Sequence, residues 1–126
     1  ESDSSSSSDS GNGSMVSYAM QFLGNRYVWG GTSLTNGTDC SGFTMGIYRH
    51  FGISIPRTSA AQASASRSVK SSEVRPGDLF FYGSGHVSHV AMYIGGGKII
   101  HASNARDGIK ISNAYYRKPL KIGRFS

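Results

Sequence analysis

The sequence contains a single cysteine, Cys40, and no long hydrophobic run. One cysteine excludes a disulfide within the chain, so its thiol is reactive, linked to another chain, or buried as a small apolar group. No segment approaches the roughly 18 apolar residues of a transmembrane helix, and the first residues lack a signal-peptide pattern. Since a domain usually has roughly 100 to 200 residues, the 126 residues predict one soluble domain excised from a longer protein.

Acidic residues are also few, and they are unevenly distributed. Three of the seven lie within the first nine positions, which leaves a formal charge of +9 on residues 15–126 and −3 on the residues before them. A charge of this size attracts polyanions such as nucleic acids, acidic membranes or anionic wall polymers. The 13 basic residues are scattered, without a run of four or a nucleic-acid-binding motif, so we do not expect a nucleic-acid partner.

The first 14 residues differ from the rest in composition. Seven of the first ten are serine, and the segment has too little apolar surface to offset the entropy lost on ordering. We therefore predict a disordered linker over residues 1–14 and a single domain over residues 15–126.

Helical patterns occupy the first half of this domain. Ser14 is a candidate cap for a helix whose apolar face contains Val16, Ala19, Met20 and Leu23. A second apolar stripe begins at Cys40, continues through Phe43, Ile47 and Phe51, and ends at Gly52. A short third helix over residues 60–66 is capped by Thr58 or Ser59.

Strand patterns occupy the second half. Alternating or continuous apolar residues predict strands over 79–82, 89–94, 98–101, 109–112 and 120–125. Helices followed by hairpin-connected strands are typical of the α+β class, so we expect N-terminal helices packed on an antiparallel sheet of five or six strands. Gly42 and Gly46, one turn apart on the second helix, predict that this helix packs closely on the sheet.

Cys40 lies at the predicted start of the second helix. The unpaired N–H groups and the macrodipole at a helix start favour negative charge, so this position favours a thiolate. A thiolate is the attacking species in acyl transfer, and it requires a base nearby.

Two histidines lie on neighbouring arms of one predicted hairpin. His89 and His101 are directly opposite or one diagonal step apart, depending on the register. Two imidazoles on one face of a sheet can form a relay, in which one ring takes the thiol proton and the second orients the first. We assign the first role to His89 and the second to His101.

Other interpretations of these residues are open. A lone cysteine at the head of an apolar stripe is more often a core residue. Cys40, His89 and His101 could also hold zinc, although one cysteine without a CxxC or HExxH pattern is a weak indication. His50, at a helix end, and His86, in a Gly-Ser-Gly-His loop, need no functional role.

Five segments in the same order resemble the NlpC/P60 family of bacterial cell-wall peptidases, and the likeness extends over about residues 15–125. They are YVWGG (27–31), DCSGF (39–43), RPGDL (75–79), HVAMYIG (89–95) and IHA (100–102). The resemblance implies a papain-like α+β core that cleaves peptidoglycan stem peptides, most often between γ-D-glutamate and diaminopimelate or lysine. It implies no cofactor or metal, a secreted or wall-associated location, and a monomeric domain of a longer protein in loose contact with anionic wall polymers.

The resemblance also assigns residues. The family nucleophile falls on Cys40, the base on His89 and the third polar residue on His101, in agreement with the relay. Substrate contacts fall on Tyr27, Asp39, Ser41 and Ser59, whereas Arg57 is interpreted as a solvated charge. The alternatives are a peptidoglycan-binding module without turnover and a transacylase that uses the same cysteine and histidine.

Overall fold

The computed structural model describes residues 13–125 and confirms the α+β class. Three α-helices precede the large sheet in the sequence: α1 (Gly13–Met20), α2 (Cys40–His50) and α3 (Ser59–Ala65). Within these described residues, no helix is long and apolar enough to cross a membrane. Residues 1–12 of the predicted linker lie outside the described residues, and its last two positions are the first two of α1.

The strands form two sheets. A two-stranded sheet consists of β1 (Thr32–Ser33) and β2 (Gly37–Thr38). The large sheet has six antiparallel strands, in the spatial order β3, β8, β4, β5, β6, β7. This number agrees with the five or six strands expected; five of them correspond to predicted strands, and β3 was not predicted. These strands are β3 (Arg67–Ser68), β4 (Leu79–Tyr82), β5 (His89–Gly95), β6 (Lys98–Ala102), β7 (Ile109–Asn113) and β8 (Lys121–Arg124).

Both faces of the large sheet are buried at its centre. Strand β4 has four buried residues, of which Leu79 and Phe81 belong to the core that includes α2, while Phe80 and Tyr82 belong to the core of the opposite face. This alternation follows from the period of two residues in a strand. Phe43 and Ile47 therefore hold α2 against the large sheet.

The first helix presents a different face from the predicted one. Met15, Ala19 and Phe22 are buried, whereas Met20 and Leu23 are exposed, and the helix ends at Met20. Ala19 was predicted correctly, but Met20 and Leu23 were wrong, because both sets of residues have helical spacing and only the position of α2 decides which one is covered. Phe51 of the second stripe is likewise exposed, and Tyr48 is buried in its place.

The two glycines of α2 pack on another partner than predicted. A Cβ atom on Gly42 would lie 2.6 Å from Thr38 Oγ1 and closer still to the carbonyl oxygen of Gly31, while Gly46 faces the Leu34 side chain. These contacts belong to the segment around β1 and β2, not to the large sheet. The glycines therefore allow the 27–38 segment to approach α2 closely.

A buried ion pair joins the start of β4 to the last strand. Asp78 accepts hydrogen bonds from Arg124 Nε and Nη2, both at 2.8 Å, and from the backbone N–H of Arg75 at 2.8 Å. The Asp78 and Arg124 side chains are only 3% and 14% exposed. Loss of either partner would leave the other charge poorly solvated.

We expect Asp78→Ala to lower the free energy of unfolding by about 3 kcal/mol, because it leaves Arg124 without its partner in a largely buried place. Urea unfolding with an unchanged m-value would measure this loss. Asp107→Ala is the matched control, since Asp107 pairs with Lys110 and Arg106 at the surface, and it should hardly change the midpoint. Equal effects of the two variants would contradict the prediction.

Candidate active site

Cys40 is the first residue of α2, as predicted, and Asp39 caps that helix. Asp39 has extended backbone geometry, and its Oδ1 accepts a hydrogen bond from the Gly42 N–H at 2.8 Å. An aspartate in this position satisfies one of the unpaired N–H groups at a helix start. The cap fixes the direction in which the helix, and therefore Cys40, leaves the preceding loop.

The Asp39 carboxylate also connects two other segments to the helix start. Its Oδ2 accepts from the Gly30 N–H at 3.2 Å and from Arg57 Nη2 at 2.9 Å, and its Oδ1 accepts from Arg57 Nη1 at 3.1 Å. Burial alone would raise the pKa of Asp39, but the hydrogen bonds from Arg57 and Gly42 outweigh it and hold that pKa below its ordinary value. The side chain is thus a charged junction among three segments.

Arg57 is part of this junction, which corrects its interpretation as a solvated charge. Besides the two bonds to Asp39, its Nη1 donates to Ser41 Oγ at 2.8 Å. The buried Gln62 reinforces the arrangement by donating to the carbonyl oxygens of Ser41 and Pro56. No sequence pattern identifies Arg57, because its partners are 16 and 18 positions away.

The Cys40 thiol is half-buried and lies against strand β5. The Val90 N–H lies close enough to the thiol to favour its charged form, so Cys40 lies beside the segment of β5 that begins at His89. Burial raises the pKa of the Cys40 thiol, although the N–H groups of Val90 and Ser41 act in the opposite direction. This differs from the thiolate expected at a helix start, because desolvation outweighs the helix terminus here.

The two predicted relay histidines are in direct contact. His89 Nε2 and His101 Nδ1 are 2.7 Å apart, and the two ring centroids are 5.0 Å apart. Met92 pairs with Ile100, so the register places Ala91 opposite His101 and His89 one diagonal step away. The predicted diagonal arrangement is therefore confirmed, and both rings lie on the same face of the sheet.

The far nitrogen of His101 contacts a residue that the sequence analysis missed. His101 Nε2 lies 2.9 Å from Ser112 Oγ on the edge strand β7. Ile99 pairs with Ser112, which places Ser112 on the same face as His101. Once the β6 to β7 register is known, the alternation of residues in β7 is enough to find this partner.

Both rings are neutral at pH 7. Burial, together with the charge of Arg117, lowers the pKa of His89 to about 4. Burial, together with His89 and Lys110, lowers the pKa of His101 to about 3. A neutral His89 ring keeps one unprotonated nitrogen and can therefore act as a proton acceptor.

Of the four predicted substrate-binding residues, Tyr27, Asp39 and Ser41 lie near the start of α2, and Ser59 lies at the start of α3. Tyr27 pairs with Thr38 in an isolated bridge, and burial, Cys40 and Asp39 raise the pKa of its hydroxyl, so Tyr27 lies near Cys40. Asp39 and Ser41 both accept hydrogen bonds from Arg57. Ser59 is a buried residue at the start of α3, which is capped by Thr58.

The remaining histidines lie away from the relay. His50 is at the C-terminal end of α2 and stacks on Tyr18 with centroids 3.8 Å apart. His86 is exposed in the loop between β4 and β5. Within residues 13–125, no three His, Cys, Asp or Glu side chains are grouped as metal ligands, and the near nitrogens of His89 and His101 face each other.

Comparison with known proteins identifies relatives of this domain. The model of the NlpC/P60 family matches residues 24–122. A probable endopeptidase p60 of Listeria innocua is 43% identical over 103 residues, which is 80% of this chain and 21% of that protein. A γ-D-glutamyl-L-lysine dipeptidyl-peptidase of Bacillus cereus is 44% identical over 101 residues, which is 77% of this chain and 30% of that protein. The chain thus spans less than a third of the length of these relatives.

Solved structures agree with this result. An NlpC/P60 family protein from Bacillus cereus superposes with a TM-score of 0.84 at 36% identity, covering 93% of this chain and 41% of that one. The NlpC/p60 domain of the peptidoglycan hydrolase SagA superposes with a TM-score of 0.81 at 36% identity, covering 90% of this chain and 99% of that one. The described core therefore resembles an isolated domain of this type along nearly its whole length.

We expect the histidine pair to make folding stability sensitive to acid. Unfolded histidines titrate near pH 6.5, whereas His89 and His101 titrate near 4 and 3 in the folded state, so the unfolded state binds more protons between these values. The stability is full above pH 6.5 and is lost as the pH falls toward 4 and 3. Between pH 7 and pH 5 the loss should be about 1 to 2 kcal/mol per histidine.

Urea unfolding over this pH range measures the slope, and His101→Gln should reduce it by about half because one of two titrations is removed. His86→Gln removes an exposed histidine and should keep the original slope. A slope that did not respond to His101→Gln would show that the pair is not the source.

Proposed function

The chain belongs to the NlpC/P60 family, and we propose that its domain is a cysteine peptidase that hydrolyses the stem peptides of peptidoglycan. The contact between the two rings carries the proposal: it leaves His89 Nδ1 as the one nitrogen of that ring available to the thiol. The thiol lies beside the backbone of Val90, the residue that follows His89 in β5. The catalytic residues are therefore Cys40 as nucleophile and His89 as base, with His101 as the residue that orients the base.

The first half of the reaction is acyl transfer to sulfur. Because both groups are neutral at rest, His89 Nδ1 takes the thiol proton as Sγ attacks the amide carbonyl carbon, and an S–C bond forms. His89 then gives that proton to the leaving nitrogen as the C–N bond breaks. The products are an acyl-enzyme and a free amine.

The second half of the reaction releases the acyl group. Water attacks the thioester while His89 takes one of its protons, and the S–C bond breaks to return the proton to sulfur. Negative charge on the carbonyl oxygen is stabilised in both halves by the backbone N–H of Cys40 at the start of α2, with the Tyr27 hydroxyl as a second donor. The protein is then in its starting state.

The proposed bond links γ-D-glutamate to a diamino acid, either diaminopimelate or lysine. The relative named as a γ-D-glutamyl-L-lysine dipeptidyl-peptidase supports this choice at 44% identity. Tyr27, Asp39, Ser41 and Ser59 are the proposed substrate contacts. A substrate ammonium at Asp39 has to compete with Arg57, whose guanidinium holds both carboxylate oxygens.

The location and wider setting are part of the proposal. Peptidoglycan lies outside the membrane, so the domain acts in a secreted or wall-associated protein, as a monomeric unit of a longer chain. The charge of +9 on residues 15–126 favours loose, salt-sensitive contact with anionic wall polymers.

Mass spectrometry of purified muropeptides tests the nucleophile and the bond together. We expect the native domain to release fragments ending in γ-D-glutamate, and the mass of the other product to identify the diamino acid. Cys40→Ala should abolish release, because no other residue can form the acyl-enzyme. His50→Gln is the control, since His50 lies at the opposite end of α2 and should leave cleavage unchanged.

Three outcomes would contradict the proposal. Release by Cys40→Ala would exclude the cysteine mechanism. Binding of muropeptides without cleavage by the native domain would favour the binding-module alternative. Transfer of the acyl group to an added amine in preference to water would favour the transacylase alternative.

A further inference from the structure

Three polar side chains form a continuous chain across strands β5, β6 and β7. His89 Nε2 lies 2.7 Å from His101 Nδ1, and His101 Nε2 lies 2.9 Å from Ser112 Oγ. This series of hydrogen-bonded side chains ends at the half-buried Ser112 on the edge strand. Tyr116 packs beside His101, with ring centroids 5.9 Å apart. The relay therefore extends one residue beyond the two histidines.

Proton positions along this chain are coupled. Each neutral imidazole carries one proton, and each of the two hydrogen bonds holds one proton between its heavy atoms. If His101 Nε2–H donates to Ser112, then His101 Nδ1 accepts from His89 Nε2–H, and His89 Nδ1 keeps its lone pair. If Ser112 donates instead, the order reverses, and His89 carries its proton on Nδ1.

Only the first order leaves an unprotonated Nδ1 on His89, the nitrogen that the proposed mechanism uses to take the thiol proton. With the proton on Nδ1, His89 has no lone pair available to take the Cys40 proton. The Ser112 hydroxyl has two lone pairs and one proton, and its partial exposure lets it donate that proton to solvent while it accepts from His101. The direction of the hydrogen bond at Ser112 thus determines which nitrogen of His89 carries the proton.

We propose that Ser112 is a positioning residue that holds His101, and through it His89, in the tautomer that accepts the Cys40 proton. This inference rests on the proposed cysteine peptidase function for its catalytic consequence. It goes beyond that function by assigning a fourth residue to the relay. Ser112 touches neither the reacting atoms nor the thiol, so its effect passes through His101 alone.

The tautomers of the two histidine rings, measured by NMR of their ring nitrogens, test the proposal directly. Long-range proton–nitrogen spectra of the 15N-labelled domain at pH 7 should show His89 and His101 both protonated at Nε2. Ser112→Ala should move a measurable fraction of both rings to the Nδ1-protonated form, because the acceptor is removed. Ser112→Thr keeps a hydroxyl at the same position and is expected to retain the native tautomers.

Kinetics on a muropeptide substrate provide the second measurement. We expect Ser112→Ala to lower kcat about tenfold, the effect of one neutral hydrogen bond, with less than about a twofold change in KM. Ser112→Thr should recover most of kcat. A loss of structure alone would instead change KM and the unfolding midpoint together.

Two results would overturn the proposal. One is a native domain in which His101 carries its proton on Nδ1. The other is a Ser112→Ala variant with native tautomers and native kcat. The spectra need no turnover, so native tautomers that respond to Ser112→Ala in a domain that cleaves no muropeptide would support the role of Ser112 and count against the proposed function alone.

Discussion

The geometry around Cys40 depends on the hydrogen bonds that the Asp39 carboxylate accepts. This carboxylate caps α2 through Gly42, fixes the turn at Gly30 and receives both terminal nitrogens of Arg57. Each of these contacts brings a different segment to the same helix start. Since charge-assisted, bidentate hydrogen bonds are among the strongest in proteins, this one side chain holds the loop, the helix and the Arg57 segment in a fixed relation. Cys40 is the next residue, so its position follows from that of Asp39.

Burial is the main influence on the protonation of the proposed catalytic groups. The same sheet that positions His89 and His101 also removes them from water, which lowers the pKa of both rings and raises that of the thiol. The result is a neutral pair in place of a thiolate and an imidazolium. A neutral pair costs less to bury than two ions, and it requires the base to hold its proton on the nitrogen that faces away from the thiol. The contact with His101, and the one beyond it with Ser112, meet that requirement.

Much of this arrangement could be predicted from the sequence, because it depends on local patterns. The period of two in residues 89–94 and 98–101, joined by three glycines, is sufficient to place His89 and His101 on one face. The start of α2 at Cys40 follows from Asp39 and the apolar stripe after it. Local patterns fail where a choice depends on a distant partner. The buried face of α1 depends on where α2 lies, and the contacts of Gly42 depend on the loop around Gly31.

The same reason explains the residues that the sequence analysis missed. Arg57 looks like a surface charge until the chain brings it to Asp39, and Ser112 looks like an ordinary strand residue until the register of β6 and β7 is known. The thiol is a different case, since the helix start and burial act on its pKa in opposite directions. The extent to which the thiol is buried decides which effect on its pKa is larger, and a local sequence pattern does not reveal that burial.

The pH dependence of Cys40 alkylation by iodoacetamide tests the neutral pair most directly, because the chain has one cysteine and the reagent needs no knowledge of the substrate. The account predicts a rate that rises about tenfold per pH unit from pH 5 to pH 8, in proportion to the small thiolate fraction of a thiol with a raised pKa. A fast, pH-independent plateau across that range would show a thiolate already formed beside a protonated His89, and would contradict the account.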